Sequence, residues 1–315
     1  MAPTISVIIP TYYRNDLLPK AIESVLRQNY EPIELIVVDD SGEGHAEPVI
    51  QRYDEAEGII HEENGSWKAA LTTGIEASTG EYVQFLDDDD ELLEGKLTKT
   101  AEVLRENPEV GVSYCGVIRG DERHYPKPSV SGEFLEEALA FQTFPMWTGS
   151  TLIERDVLLD CLPLAGMGED HDLEIELGDT DLKIELARRT RTDYVDECLA
   201  VYRQDTNERW AGPRRFEKVK QNVKHQRELY DQYPSIRRKL LCYWHQRQAV
   251  YWLEEELWSS KAVSHFFRAA YHANGPTKKL KCGAGAAASL FGRPGWNAAE
   301  DFRNALTYGR RQIQS

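Results

Sequence analysis

Four consecutive aspartates, Asp87 to Asp90, follow an apolar run directly in FLDDDDELLEGKL. Clustered carboxylates can hold a hard divalent cation through oxygen. They can equally be a solvated acidic face, the usual meaning of an acid run. Composition favours the second reading for any single patch, because the 315-residue chain carries 53 Asp and Glu against 37 Lys and Arg, a formal net charge of −16. Other polar groups stand at comparable places. Thr11 and Tyr12 follow ISVIIP, and Asp39 and Asp40 close IELIVVDD. Taken singly, Asp40-Ser41-Gly42 reads as a turn and Tyr12 as a packing residue. Taken jointly, they ask which elements bring them to one place.

The apolar pattern supplies those elements. ISVIIP (5–10) is short, β-branched and ended by proline, which predicts a buried strand. Residues 16–29 put Leu17, Leu18, Ala21, Ile22, Val25 and Leu26 on one helical face. IELIVVDD (33–40) predicts a second buried strand, followed by a helical turn at 46–53 and a short strand near GIIHEE. WKAALTTGIEAS (67–78) predicts a helix with Gly80 just past its end. EYVQF leads into the aspartates, KLTKTAEVLREN predicts a helix closed before Pro108, and VGVSYCGVIRG another strand. Strand–helix alternation predicts an α/β fold with a mainly parallel sheet. In such sheets ligands bind beyond the carboxyl ends of the strands, where three strands here deliver polar groups.

Charge divides the chain. Residues 1–213 hold 45 acids and 18 bases, a net of −27, whereas residues 214–315 hold 8 acids and 19 bases, a net of +11. The expected boundary lies near 205–215, within QDTNERWAGP, and the basic part is expected to meet something anionic. Lysine is the scarcer cation, with 14 Lys against 23 Arg. A carboxylate-rich surface of this kind suits a halophile's proteome, where it keeps protein hydrated. The five cysteines are scattered without ligand spacing, which predicts reduced, mostly buried thiols and a reducing compartment. MAPTISVIIPT has neither a basic n-region nor an apolar h-region, so no secretory signal is expected. GAGAAASLFG (283–292) is too short to span a bilayer.

The ordered blocks ISVIIPTYYRNDLLPKAIESVLRQNYEPIELIVVDDSGEG and ENGSWKAALTTGIEASTGEYVQFLDDDDELLEGKL resemble the running pattern of family 2 glycosyltransferases with the GT-A fold. The likeness is close over roughly residues 4–100 and looser to about 205. It implies a GT-A domain over 1–213, with a nucleotide-binding half to about 100 and an acceptor half from 101, plus a helical region over 214–315. It implies a nucleotide-sugar donor, with Pro10, Thr11 and Tyr12 flanking the base and Asp40 bonding a uracil-type ring; Asp39 supports the site. The family's D-x-D motif maps to Asp87-Asp88-Asp89. By resemblance Asp89 is the direct ligand of Mg²⁺ or Mn²⁺, Asp87 reaches the ribose or the metal, Asp88 lies alongside the nucleotide, and Asp90 stands behind them. Hard oxygen ligands suit those ions, which neutralise charge on a departing diphosphate.

Later blocks are looser. MWTGSTLIERDVL (146–158) resembles the segment that passes beneath the donor sugar, where Trp147 either stacks on a sugar face or packs in the core. GMGEDHDLEIEL (166–177) resembles the family's G-E-D-W-D-L block, which makes Asp170 the general base of an inverting transfer and Glu169 an acceptor contact or alternate base. The chain departs from the pattern in four places. His171 replaces Trp, and an Arg-rich stretch becomes the acidic LEIELGD. AALTTG replaces A-R-N-T-G, so Lys68 becomes the candidate cation near the nucleotide, and no His follows Arg203, where Gln204, Asp205 or Arg209 is the candidate substitute.

The basic region reads as helices rich in Arg, Lys and aromatics over 214–273, including Tyr243, Trp244, Tyr251, Trp252, Trp258, Phe266 and Phe267. Two readings stand side by side: a helical pack with its own core, or a membrane-surface platform. With the second, the resemblance points to a hydroxyl of a lipid-linked glycan as acceptor, at the cytoplasmic membrane face. The chain then looks similar to haloarchaeal enzymes that extend dolichol-phosphate-linked glycans for protein N-glycosylation. A transferase for another surface polysaccharide or glycolipid is the alternative. A dolichyl-phosphate sugar synthase is a further one, but a phosphate acceptor needs no general base. Nucleic acid is not an expected partner, since no such motif appears and the acidic part repels a polyanion. IIPTYYRND lacks the Gly-rich phosphate loop of a nucleotidyltransferase, and the intact carboxylate motifs argue against a degenerate scaffold.

Overall fold

The computed structural model describes residues 2–146, 148–164, 179–203 and 212–299. The chain separates into two compact units, Met1–Thr206 and Asn207–Ser315.

In the first unit the elements run β1 (Ile5–Thr11), α1 (Leu18–Leu26), β2 (Ile33–Asp39), α2 (Glu47–Ile50), β3 (Ala56–Ile60), α3 (Trp67–Ala77), β4 (Tyr82–Phe85), β5 (Glu91–Leu92) and α4 (Lys96–Glu106). They continue with β6 (Val110–Arg119), β7 (Glu122–His124), α5 (Leu135–Leu139), β8 (Thr151–Glu154), α6 (Arg155–Leu159), α7 (Asp179–Ala187) and β9 (Arg191–Tyr202). One sheet of nine strands has the order β3-β2-β1-β4-β8-β6-β9-β5, with β7 beside β6. All seven residues of β1 are buried, as its unbroken apolar run requires of a central parallel strand. α1 buries Leu18, Ala21, Ile22 and Val25, the predicted face, while Leu26 stays partly exposed. α3 lies close on β1 because Gly74 has no Cβ; one built there would sit 2.3 Å from Ile8 Cγ2.

The sheet is parallel from β3 through β4 and mixed beyond. β8 runs opposite to both its neighbours, β4 and β6, so the two pairs that join the halves are antiparallel. β6 and β9 are parallel again, and β5 closes the edge antiparallel to β9.

Register decides what meets at the carboxyl edge. Thr11 pairs with Asp39, and Asp39 with Ile60. Leu86 N–H donates to Ile8 O, which carries β4's chain straight into Asp87. Thr11, Asp40, His61 and the aspartate run therefore emerge on one edge of the parallel half.

The second unit is helical: α8 (Pro213–His225), α9 (Arg227–Gln232), α10 (Pro234–Glu255), α11 (Ser260–His272) and α12 (Pro276–Ser289). Its aromatics divide between core and surface. Trp244 and Phe266 are buried, whereas Tyr243, Trp258 and Phe267 are more than half exposed. No helix among the described residues is long and apolar enough to cross a membrane. All five cysteines are free and buried.

Between α8, α10 and α11 lies a histidine cluster. His245 Nδ1 is 2.9 Å from His265 Nδ1, so one ring carries the proton and the other accepts it. His272 stacks on His245 at 5.6 Å, and Phe216 meets His245 and His265 edge-on. Burial, then the neighbouring histidines and cations, pushes His245 down to about 3; burial with Arg268 and Lys220 pushes His265 down to about 4. Both stay neutral in the folded unit at pH 5, whereas the unfolded chain takes up protons below about 6.5. A depressed histidine contributes stability above its unfolded pKa that is lost as pH falls towards the folded one. Melting of the full chain is therefore expected to shift down between pH 7 and 5, and His245→Gln should flatten that slope. An unchanged slope in the variant would disprove the role of the cluster.

Candidate functional site

Asp39 and Asp40 are neighbours with different tasks. Asp39 accepts the backbone N–H of Ser41 at 2.9 Å and of Ala46 at 2.7 Å, so it builds the turn after β2. Asp40 is 4% exposed, and its Oδ1 accepts the Gly65 N–H at 2.8 Å and faces His61 Nδ1 at 2.7 Å. The carboxylate only accepts, so His61 carries its proton on Nδ1 towards it, and His61 Nε2 faces the Thr73 hydroxyl at 2.9 Å. Both contacts fall on Oδ1.

Thr11 Oγ1 donates to Asp88 Oδ2 at 2.7 Å. Arg14 reaches the same carboxylate, Nη1 to Oδ1 at 3.1 Å, and Asp89 Oδ2 at 3.0 Å. Burial raises the Asp88 carboxyl, while Thr11 and Arg14 pull it back. Trp67, the first residue of α3, donates its indole N–H to Asp87 Oδ1 at 3.3 Å. Asp90 is 3% exposed and accepts the Arg203 N–H at 2.8 Å, which joins the end of β9 to the aspartate run. Burial and the charge of Asp87 push its carboxyl up to about 9.

Pro10 is buried within β1, and Tyr12 lies just beyond with its ring half exposed. Tyr13 next to it has φ +54°, a left-handed conformation that costs a bulky residue energy. Its hydroxyl donates to Glu43 at 2.9 Å, which holds it there.

Lys68 is 2% exposed, and its Nζ lies 2.6 Å from Asp181 Oδ2. This ammonium, the candidate cation for the nucleotide, thus ties α3 to the first turn of α7. Trp147, Glu169, Asp170, His171, Gln204, Asp205 and Arg209 lie outside the described residues.

The structure therefore gathers Thr11, Asp40, Asp87, Asp88 and Asp89 with three partners the sequence did not single out: Arg14, His61 and Trp67. His61 had a readable signal, its place directly after β3. Arg14 had a weaker one, its place in the loop that follows β1.

No group of three or more His, Cys, Asp or Glu among the described residues is arranged to hold a metal ion. That is compatible with Mg²⁺, which is commonly held by one or two carboxylates plus substrate phosphates and water. The donor chemistry fits as well. Burial first, and then the charge of Asp87, raises the Asp90 carboxyl, and Asp87 and Asp89 offer hard oxygen to a cation.

Residues 6–161 match the family model described as Glycosyl transferase family 2. An uncharacterized glycosyltransferase, EpsJ of Bacillus subtilis, is 27% identical over 221 residues, which is 66% of this chain and 63% of that protein. The GalNAc(5)-diNAcBac-PP-undecaprenol beta-1,3-glucosyltransferase of Campylobacter jejuni is 39% identical over 101 residues, 30% of this chain and 33% of that one. The chain thus spans less than two thirds of the length of these curated relatives. Among solved structures, S. aureus TarS 1-349 in complex with UDP-GlcNAc superposes with a TM-score of 0.60 at 14% identity, over 96% of this chain and 92% of that one. That likeness is one of fold, a GT-A-like sheet with flanking and C-terminal helices.

Proposed function

With residues 6–161 standing as a family 2 glycosyltransferase domain, we propose that the protein transfers a sugar, with inversion, from a nucleotide-linked donor to a hydroxyl of a lipid-linked glycan. The observation that carries the reading is the convergence at one sheet edge of a buried, pre-oriented Asp40 with the Thr11–Asp88–Arg14 cluster. A carboxylate oxygen left to accept a ring N–H suits the imide of uracil, so a uridine-linked donor is favoured. Pro10 and Tyr12 flank the base, and Asp88 lies alongside the nucleotide.

Asp89, with Asp87, would hold Mg²⁺ or Mn²⁺. A divalent ion there supplies charge neutralisation to the departing diphosphate. Arg14, 45% exposed at its side chain, turns further N–H groups to the same phosphates. Asp170 takes the proton from the acceptor hydroxyl, and Glu169 positions the acceptor. Lys68 acts through Asp181 and holds the start of α7.

The acid-rich chain and its basic C-terminal region support an acceptor on a dolichol-phosphate-linked glycan in protein N-glycosylation. The enzyme would then work from the cytoplasm, peripheral to the inner face of the membrane through residues 214–315. A second reading, another surface polysaccharide or glycolipid, is favoured by the Campylobacter relative, whose name gives an undecaprenol-diphosphate-linked glycan.

Incubation with Mn²⁺ or Mg²⁺ and a panel of sugar nucleotides tests the proposal. One uridine-linked sugar is expected to be consumed slowly without acceptor; no binding or turnover of any sugar nucleotide would overturn the reading. Asp170→Asn is expected to keep donor binding and lose about a hundredfold or more in transfer, the scale of a general base. Undiminished transfer would move the base elsewhere.

A further inference from the structure

Charge within the basic region is concentrated further. From Leu257 to Ala299 there is no Asp or Glu, against six Lys and Arg, in a chain with 53 acids. α12 packs inward through Cys282, Gly285, Ala286 and Ser289. Its opposite side puts Leu280, Ala284 and Ala287 in a stripe at helical spacing, and Phe291 follows in the turn after the helix, all exposed. Leu280 is 75% and Phe291 77% exposed, high values for large apolar side chains.

The stripe continues onto the turn between α10 and α11, where Leu257 is 69% and Trp258 55% exposed. This corner is tied together. The Trp258 indole N–H donates to Leu290 O at 3.0 Å, and Arg293 N–H donates to Leu257 O at 2.8 Å. The Arg293 guanidinium donates to Leu253 O at 2.6 Å and to Glu254 O. Gly292 permits the approach with φ +67°, since a Cβ there would lie 2.3 Å from Leu257 O. The apolar side chains are thus presented on a fixed scaffold, and Lys278, Lys279 and Lys281 stand exposed at the other end of the stripe.

We propose that this face docks on an anionic lipid bilayer. Leu280, Phe291, Leu257 and Trp258 enter the boundary between headgroups and acyl chains, and the three lysines meet lipid phosphates. Charge complementarity selects this occupant: α12 carries Lys278, Lys279 and Lys281 exposed and no carboxylate, on a protein whose net charge otherwise repels an anionic surface, while the exposed Glu254 and Glu255 stand at the far corner just before Leu257. Apolar insertion and lysine attraction together are what interfacial binding requires, and a tryptophan with its N–H engaged suits that depth. The inference rests on the lipid-linked acceptor proposed above.

The test is flotation of the full chain with vesicles of equimolar phosphatidylglycerol and phosphatidylcholine, against phosphatidylcholine alone. The wild type should float with the anionic vesicles, and a Leu280→Glu/Phe291→Glu double variant should lose about tenfold or more in partition. Lys278→Gln/Lys279→Gln/Lys281→Gln should lose the preference for anionic lipid. Both variants change exposed side chains, so their melting and donor hydrolysis should match the wild type. If the wild type floats and the double variant floats equally, this face is overturned while the membrane reading stands. If the wild type floats with neither vesicle, both fall. If instead the double variant dissolves a wild-type dimer, the face is a self-association surface and the proposal is overturned.

Discussion

Asp89→Ala is expected to lose about a thousandfold in kcat/KM while the protein stays folded. Asp89 is the least buried of the motif's ion-paired carboxylates, 17% exposed against 6% for Asp88, and Arg14 at 3.0 Å is its ion-pair partner. A partly solvated pair of this kind contributes about 1 kcal/mol or less to stability. The functional loss is far larger under the proposed role. A metal-held charge at a leaving diphosphate is a contribution of several kcal/mol, and about 4 kcal/mol corresponds to about a thousandfold in rate. Asp90→Ala provides the contrast. That side chain is buried and accepts the Arg203 N–H, so its loss should lower the melting temperature as well as the rate. Assay of both variants beside their melting curves separates the roles; full activity in Asp89→Ala would remove the metal assignment.

Lys68→Met is expected to destabilise the first unit by about 3–5 kcal/mol, the cost of leaving one partner of a buried ion pair uncompensated. Lys68 and Asp181 are both nearly inaccessible and lie 2.6 Å apart. Burial already raises the Asp181 carboxyl, and Lys68 is the principal influence that lowers it. Without the ammonium, Asp181 takes up a proton on folding. A carboxyl raised in the folded state keeps its stability below the unfolded pKa of about 4 and loses it as pH rises. The deficit should therefore be smaller at pH 5 than at pH 8 in denaturant titrations. A Lys68→Met/Asp181→Leu double variant removes both charges and should recover most of the loss. A single variant as stable as the wild type at pH 8 would show that the pair does not hold α7.

Residues 5–90 were the most legible part. β1 and β2 are mostly apolar runs ended by polar residues, and parallel pairing of such runs brings those ends together. The relations among the gathered residues were less visible. β3 is short and half exposed, so the weak pattern of AEGII did not draw attention to His61 after it. Lys68 reads in the sequence as a candidate cation near the nucleotide, since its partner lies 113 residues away and no local signal joins them. The direction of β8 was likewise unreadable. Four residues of TLIE give periodicity but no sense of chain direction, and the change from parallel to mixed pairing turns on that strand. In the basic region, composition alone left packing and membrane contact as rival readings. Burial separates the side chains, with Trp244 and Phe266 inside and Trp258 and Phe267 outside.

The central claim is that the run after β4 is a site for a metal and a diphosphate, not a solvated acidic face. Calorimetric titration of the protein with UDP, with Mn²⁺ present and then with the metal chelated, tests it most directly. The account predicts binding that weakens by about tenfold or more on chelation and that no longer responds to Mn²⁺ in Asp89→Ala. Equal affinity with and without the metal in the wild type would contradict it.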